Sequence, residues 1–139
     1  MIKLVRLDYR LLHGQVVFSW TGHVGAQRII VVDDDAANDE MKKSALLLSK
    51  PAGVRVNIFT VDKAIAKMPK VEQLDEKIMM IFGNTAALLK FCQAYPKIKE
   101  INYGAVANKP GSKAFDQSVF LTPEEQADTQ KLKSEAKRS

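Results

Sequence analysis

The chain has one cysteine in 139 residues, so no disulfide can form within it. Cys92 lies in an apolar stretch of helical spacing, which predicts a buried thiol with no redox or metal duty. No apolar run reaches the ~18 residues that a bilayer-spanning helix needs, and the N-terminal run carries charges, unlike a signal peptide. A cytoplasmic protein is therefore expected. Long blocks of like charge are missing too. The net charge is +5, but the lysines alternate with Asp and Glu and are not interleaved with aromatics, so nucleic acid is not an expected partner. Internal repeats and low-complexity linkers are absent, which with this length predicts one domain, residues 1–139, whose 46% hydrophobic content suffices for a core.

What is present alternates between two periods. Ile2 to Leu7 is β-like, Val16 to Gly22 suits a short helix, and Arg28 to Val32 is a β-branched run typical of a strand covered on both faces. One helix is predicted from Ala36 to Ser49, with Met41, Ala45 and Leu48 on its apolar face and an aspartate of Asp33 to Asp35 as its cap. A strand from Val54 to Phe59 leads to Thr60, the cap of a helix expected to end before Pro69. The strand Lys77 to Phe82 has Met79 and Met80 in its core, and Asn84 caps a helix that ends before Pro96. Further strands are predicted over Glu100 to Tyr103 and Ala114 to Leu121, around a loop from Gly104 to Gly111. Thr122-Pro123-Glu124-Glu125 then announces a helix by cap, proline and capping-box glutamate. That helix has few apolar residues, so weak packing and frayed last turns are expected. The pattern predicts an α/β fold: a single-domain, open, mainly parallel sheet with helices on both faces.

Asp8-Tyr9-Arg10-Leu11-Leu12-His13-Gly14-Gln15 falls between the first strand and the first helix. In an open α/β sheet such loops form the ligand-binding edge. Unbonded N–H groups at the helix start and the positive end of its dipole attract an anion, so the backbone of Leu11, Leu12, Gly14 and Gln15 is a candidate phosphate cradle. Arg10 supplies a planar fork suited to phosphoryl oxygens. His13 is the candidate nucleophile, since an imidazole with an ordinary value near ~6.5 is largely neutral at cellular pH. Asp8 or a backbone carbonyl is expected to hold the other ring nitrogen. Asp33 or Asp34 either caps a helix or sits on the rim of the site, orienting Arg10 or His13. Trp20 reads as a core anchor beneath the loop, and His23 as an exposed residue near the end of the helix.

Arg6-Leu7-Asp8-Tyr9-Arg10-Leu11-Leu12-His13-Gly14-Gln15-Val16, with Trp20 beyond, resembles the active-site signature of the IIB component of the mannose-family sugar phosphotransferase system. Arg28 to Asp34 resembles the family's second strand and acidic end, Glu100-Ile101-Asn102-Tyr103-Gly104 its EIN-x-G segment, and Val119 to Glu125 the strand and helix start that follow. The resemblance implies that His13 carries a phosphoryl group on Nδ1. It also implies a phosphohistidine of a IIA component as donor and a sugar held by membrane IIC and IID components as acceptor. The protein would then sit at the inner face of the membrane through its permease. No cofactor or metal is implied beyond the covalent phosphohistidine. Members often have a Lys/Thr/Ser-Pro turn where this chain has Gly83-Asn84-Thr85, and they continue past the last helix into a further strand, which this chain is expected to lack. These residues do not decide between a monomer and a homodimer.

Two other readings compare poorly. A receiver-type signalling domain would use Asp33 to Asp35 and Lys109-Pro110, but it needs a phosphorylated aspartate at the end of an intervening strand, where Thr60 and Gly83 stand instead. A basic interaction module rests on net charge alone.

Overall fold

The apolar runs become the strands of one sheet. The computed structural model describes residues 1–138, with side chains through Ser134. In chain order the first half comprises β1 (Ile2–Asp8), α1 (Gly14–Val24), β2 (Arg28–Val32), α2 (Asp34–Asn38), α3 (Glu40–Leu48) and β3 (Arg55–Phe59). The second half comprises α4 (Val61–Val71), β4 (Ile78–Phe82), α5 (Thr85–Ala94), β5 (Asn102–Ala105), β6 (Lys113–Ala114), β7 (Phe120–Leu121) and α6 (Pro123–Arg138). Five strands pair in parallel in the order β3-β2-β4-β1-β5, and β6 and β7 form a small antiparallel ribbon.

Alternation along the central strands sorts the core into two layers. Val5, Leu7, Ile30, Val32, Ile78, Met80 and Phe82 face the layer completed by α4, α5 and α6. Ile29, Val31, Met79 and Ile81 face the opposite layer, with Val17 of α1, Ala36 of α2 and Leu46 of α3. The expected open parallel sheet with helices on both faces is thus the fold observed. Met79 and Met80 are fully buried, as predicted. Cys92 is buried as well, and burial pushes its thiol up to about 11.

Most predicted caps hold. Thr60 accepts from Lys63 N, Asn84 from Ala87 N, and Thr122 and Glu125 exchange two bonds of 2.9 and 3.2 Å. The differences are instructive. The single helix expected from Ala36 to Ser49 is two, because Asp39 is extended and caps a new start through Met41 N and Lys42 N. The second piece, α3, buries no residue, so Met41 and Leu48 are 84% and 89% exposed instead of forming a core face. Helix α4 runs through Pro69 to Val71, because Met68 and Val71 are anchored in the core and outweigh one missing hydrogen bond. The strand expected over Ala114 to Leu121 is a hairpin: Phe115 N and Asp116 N both reach Val119 O, which reverses the chain. The strand expected at Glu100 starts later, at Asn102, and takes in Gly104 and Ala105 from the predicted loop. Helix α6 packs on α5, with Leu132 buried and Thr85 Oγ1 donating to Asp128. The fraying expected of its last turns falls on residues 135–139, outside the described side chains.

Candidate functional site

The connections after β1 and β2 lead to helices on one face of the sheet, and the connection after β4 leads to α5 on the other. The carboxyl end of β4 is therefore a topological switch point, where backbone segments part and leave a crevice. Three segments meet there. A β-carbon built on Gly83 would fall 2.0 Å from Asp33 Oδ2 and 3.3 Å from Leu11 Cδ2. A side chain at this position would displace the Asp33 carboxylate.

The loop itself is tightly wound. Leu11 N donates to Asp8 O, Leu11 adopts φ 60°, and Gly14 follows at φ 45°. A left-handed leucine costs about 1–2 kcal/mol, and the buried Leu11 and Leu12 side chains hold the backbone against that strain. The amide of Leu11 is consequently spent inside the loop, which corrects its expected place in a phosphate cradle.

His13 is exposed and occupies the N-cap position of α1 in an extended conformation. Its side chain makes no capping bond, and no acidic residue lies in the first turn. The first intrahelical bond runs from Val17 N to His13 O, so the amides of Gly14, Gln15 and Val16 precede it without an intrahelical acceptor. No acidic side chain of the first turn offsets the dipole at this end.

Arg10 is fixed by Asp8 and not by the Asp33 cluster. Its Nε and Nη2 donate to the two oxygens of Asp8 at 3.0 and 2.9 Å, and its backbone N donates to Asp8 Oδ1 at 3.0 Å. These bonds hold the Arg10 guanidinium above its ordinary value. One edge of the planar fork is thereby used; Nη1 has no hydrogen-bond partner among the described residues, and the side chain is 29% exposed. Asp8 or a backbone carbonyl was expected to hold a ring nitrogen of His13; the oxygens of Asp8 are instead occupied by two arginines.

The second arginine is Arg6. It and Asp8 share the α1 side of β1, where a parallel strand ordinarily places apolar residues. Arg6 is buried, reaches Asp8 Oδ2 at 3.4 Å, and donates from Nη1 to Asn102 Oδ1 on the neighbouring strand. The Trp20 ring covers its guanidinium at 5.4 Å, so this half-buried indole caps a cation as well as the core. A β-carbon on Gly104 would lie 2.4 Å from the same guanidinium, so glycine leaves the space that Arg6 occupies. Burial pulls Arg6 below its ordinary value, with Asp8 opposing that shift. Sequence reasoning treats Arg6, Asn102 and Gly104 only as letters of a resemblance. The available signal is a charged residue in the middle of an apolar strand.

The aspartates after β2 serve the scaffold. Asp33 reaches the crevice beside Gly83 and Leu11, yet its hydrogen bond caps α2 through Ala36 N. Asp34 accepts from Val61 N at the start of α4. Neither orients Arg10 or His13 through a hydrogen bond, so of the two readings of these aspartates, cap or orienting rim residue, the cap is the one observed at Asp33. His23 is exposed and lies edge-on to Trp20. Lys109 pairs with Glu125, away from the acidic cluster that a receiver domain would need. Among the described residues no group of His, Cys, Asp and Glu is arranged to hold a metal, and no helix is long and apolar enough to cross a membrane. A cavity of about 840 Å³ lies at the other end of the sheet, around Ile2, Tyr95 and Ile98, and neither His13 nor Arg10 lines it.

This arrangement offers free backbone amides and a fixed guanidinium beside an exposed imidazole. Residues 2–137 match the family model described as "PTS system sorbose subfamily IIB component". The chain is 36% identical over 124 residues to the sorbose-specific EIIB component of Klebsiella pneumoniae, covering 89% of this chain and 76% of that one. It is 32% identical over 121 residues to the mannose-specific EIIAB component of Escherichia coli K12, covering 87% of this chain and 38% of that longer protein. The crystal structure of the IIBSor domain of the Klebsiella pneumoniae sorbose permease superposes with a TM-score of 0.91 at 33% identity, over 98% of this chain and 83% of that chain. Fold, loop and sequence agree, and the chain belongs to the sorbose-subfamily IIB components of the sugar phosphotransferase system, which are phosphotransferases.

Proposed function

We propose that His13 is the phosphoryl carrier, accepting phosphate from a phosphohistidine of a IIA component and passing it to a sugar held by the membrane IIC and IID components. The observation that carries this reading is the exposed, unbonded imidazole at the uncapped start of α1, three residues from an arginine already fixed by Asp8. In the first step a ring nitrogen of His13 attacks phosphorus, the donor P–N bond breaks, and the donor ring keeps the electron pair. In the second a sugar hydroxyl oxygen attacks, the P–N bond on His13 breaks, and the hydroxyl proton is released. Phosphoryl transfer asks the protein mainly for position and charge compensation. Nη1 of Arg10 and the amides of Gly14 and Gln15 offer both to the equatorial oxygens. No cofactor is needed for either step. The protein would act at the inner face of the membrane, docked on the permease, and the exposed imidazole supports transfer between two protein partners.

The test is to incubate the chain with phosphoenolpyruvate, the general phosphotransferase proteins and a IIA component. An acid-labile, base-stable phosphate is expected, and it should be absent from His13→Ala while the melting temperature holds. Label that persists in this variant, or that maps to His23, overturns the assignment.

A further inference from the structure

Two guanidinium groups and one carboxylate are assembled at the end of β1, and among the described residues no further acid pairs with them. Asp8, with a side chain 2% exposed, is ion-paired to Arg6 at 3.4 Å and to Arg10 at 2.9 Å. The remaining partner of Arg6 is the neutral amide of Asn102. Both arginines stay protonated at any physiological pH. The cluster therefore carries one unbalanced positive charge in a region where Arg6 is 9% exposed and solvent compensates it poorly.

We propose that Arg6 is a positioning residue for phosphoryl transfer. Held from β5 by Asn102, it balances Asp8, so that Asp8 can clamp Arg10 without cancelling the charge Arg10 presents to the phosphoryl group. A lone Asp8–Arg10 pair would be neutral, and an incoming phosphate would have to compete with the carboxylate for the guanidinium. With Arg6 in place the carboxylate is shared, and the excess charge is left for the anion. Asn102 fits this account because an amide orients Arg6 without adding charge. Gly104 and Trp20 fit it as well, since one admits the guanidinium and the other covers it with a ring face.

The inference rests on the carrier reading, and the experiment separates the two. Asn102→Asp keeps the shape and the acceptor for Arg6 Nη1, but brings the cluster to neutrality. It is expected to slow phosphorylation by the IIA donor on the order of tenfold, with melting temperature unchanged or raised. A supporting role confined to structure predicts no slowing, because the hydrogen bond is retained. Arg6→Gln, also neutral, is expected to slow transfer similarly, and Arg6→Gln with Asp8→Asn, which restores one net positive charge, is expected to run faster than Arg6→Gln alone. Asn102→Asp at the wild-type rate, or a double variant no faster than Arg6→Gln, overturns the proposal. If the wild-type chain takes no label at His13, the carrier reading itself fails.

Discussion

The starts of α1 and α6 follow opposite designs. At α6, Thr122 and Glu125 satisfy each other's backbone amides, Pro123 removes a donor that needs no partner, and Glu124 and Glu125 oppose the dipole. At α1, His13 stands where a cap belongs but makes no capping bond, the first turn has no acid, and the approach passes through a left-handed leucine. One helix start is closed by its own side chains. The other is held open by packing beneath it, through Leu11, Leu12 and the Asp8–Arg10 clamp. Unbonded amides and strain are collected at one loop, in a chain that caps its other helices well, and this is the loop that the proposed function assigns to the phosphoryl group.

The contrast can be broken by giving α1 the cap it lacks. His13→Ser supplies a hydroxyl at an N-cap whose backbone is already extended, so the fold should gain about 0.5–1 kcal/mol while phosphate labelling disappears. Thermal melting and acid-labile label read the two effects, and a loss of stability would show that α1 is not under-capped. A milder change is Gln15→Glu, which puts an acid in the first turn. It should slow transfer by about tenfold through competition for the same field, and leave melting within a few degrees of wild type. A rate equal to wild type would remove the helix terminus from the mechanism. The smallest effect is expected at the closed end. Thr122→Ala should cost about 1 kcal/mol in a denaturant titration, with the labelling rate unaltered. A slowed rate would mean that α6 couples to the site, and the two helix starts would no longer be independent.

Local chemistry made much of this legible in advance. Thr60, Asn84 and the Thr122 box act within four residues, so their partners are readable from spacing. The β-branched run at Arg28 to Val32 could only suit a strand covered on both faces, and β2 is that strand. The break at Asp39 was harder to see, because Asp33 already offered a cap and the apolar spacing of Met41, Ala45 and Leu48 imitated a core face. Pro69 misled in the other direction. A local rule ended the helix there, while burial of Met68 and Val71 carried it onward.

By itself the sequence determined the alternating α/β order, the capped helix starts, and the placing of Arg10 and His13 on one loop after the first strand. These follow from periodicity and from contacts a few residues apart. Only the tertiary structure decided that Asp8 clamps Arg10 instead of His13, and that Arg6 completes the cluster. Arg6 meets Asn102 across 96 positions of chain, in a space that Gly104 leaves open. Charge balance of that kind depends on which strands become neighbours, and the neighbours of β1 are set by the order of the whole sheet.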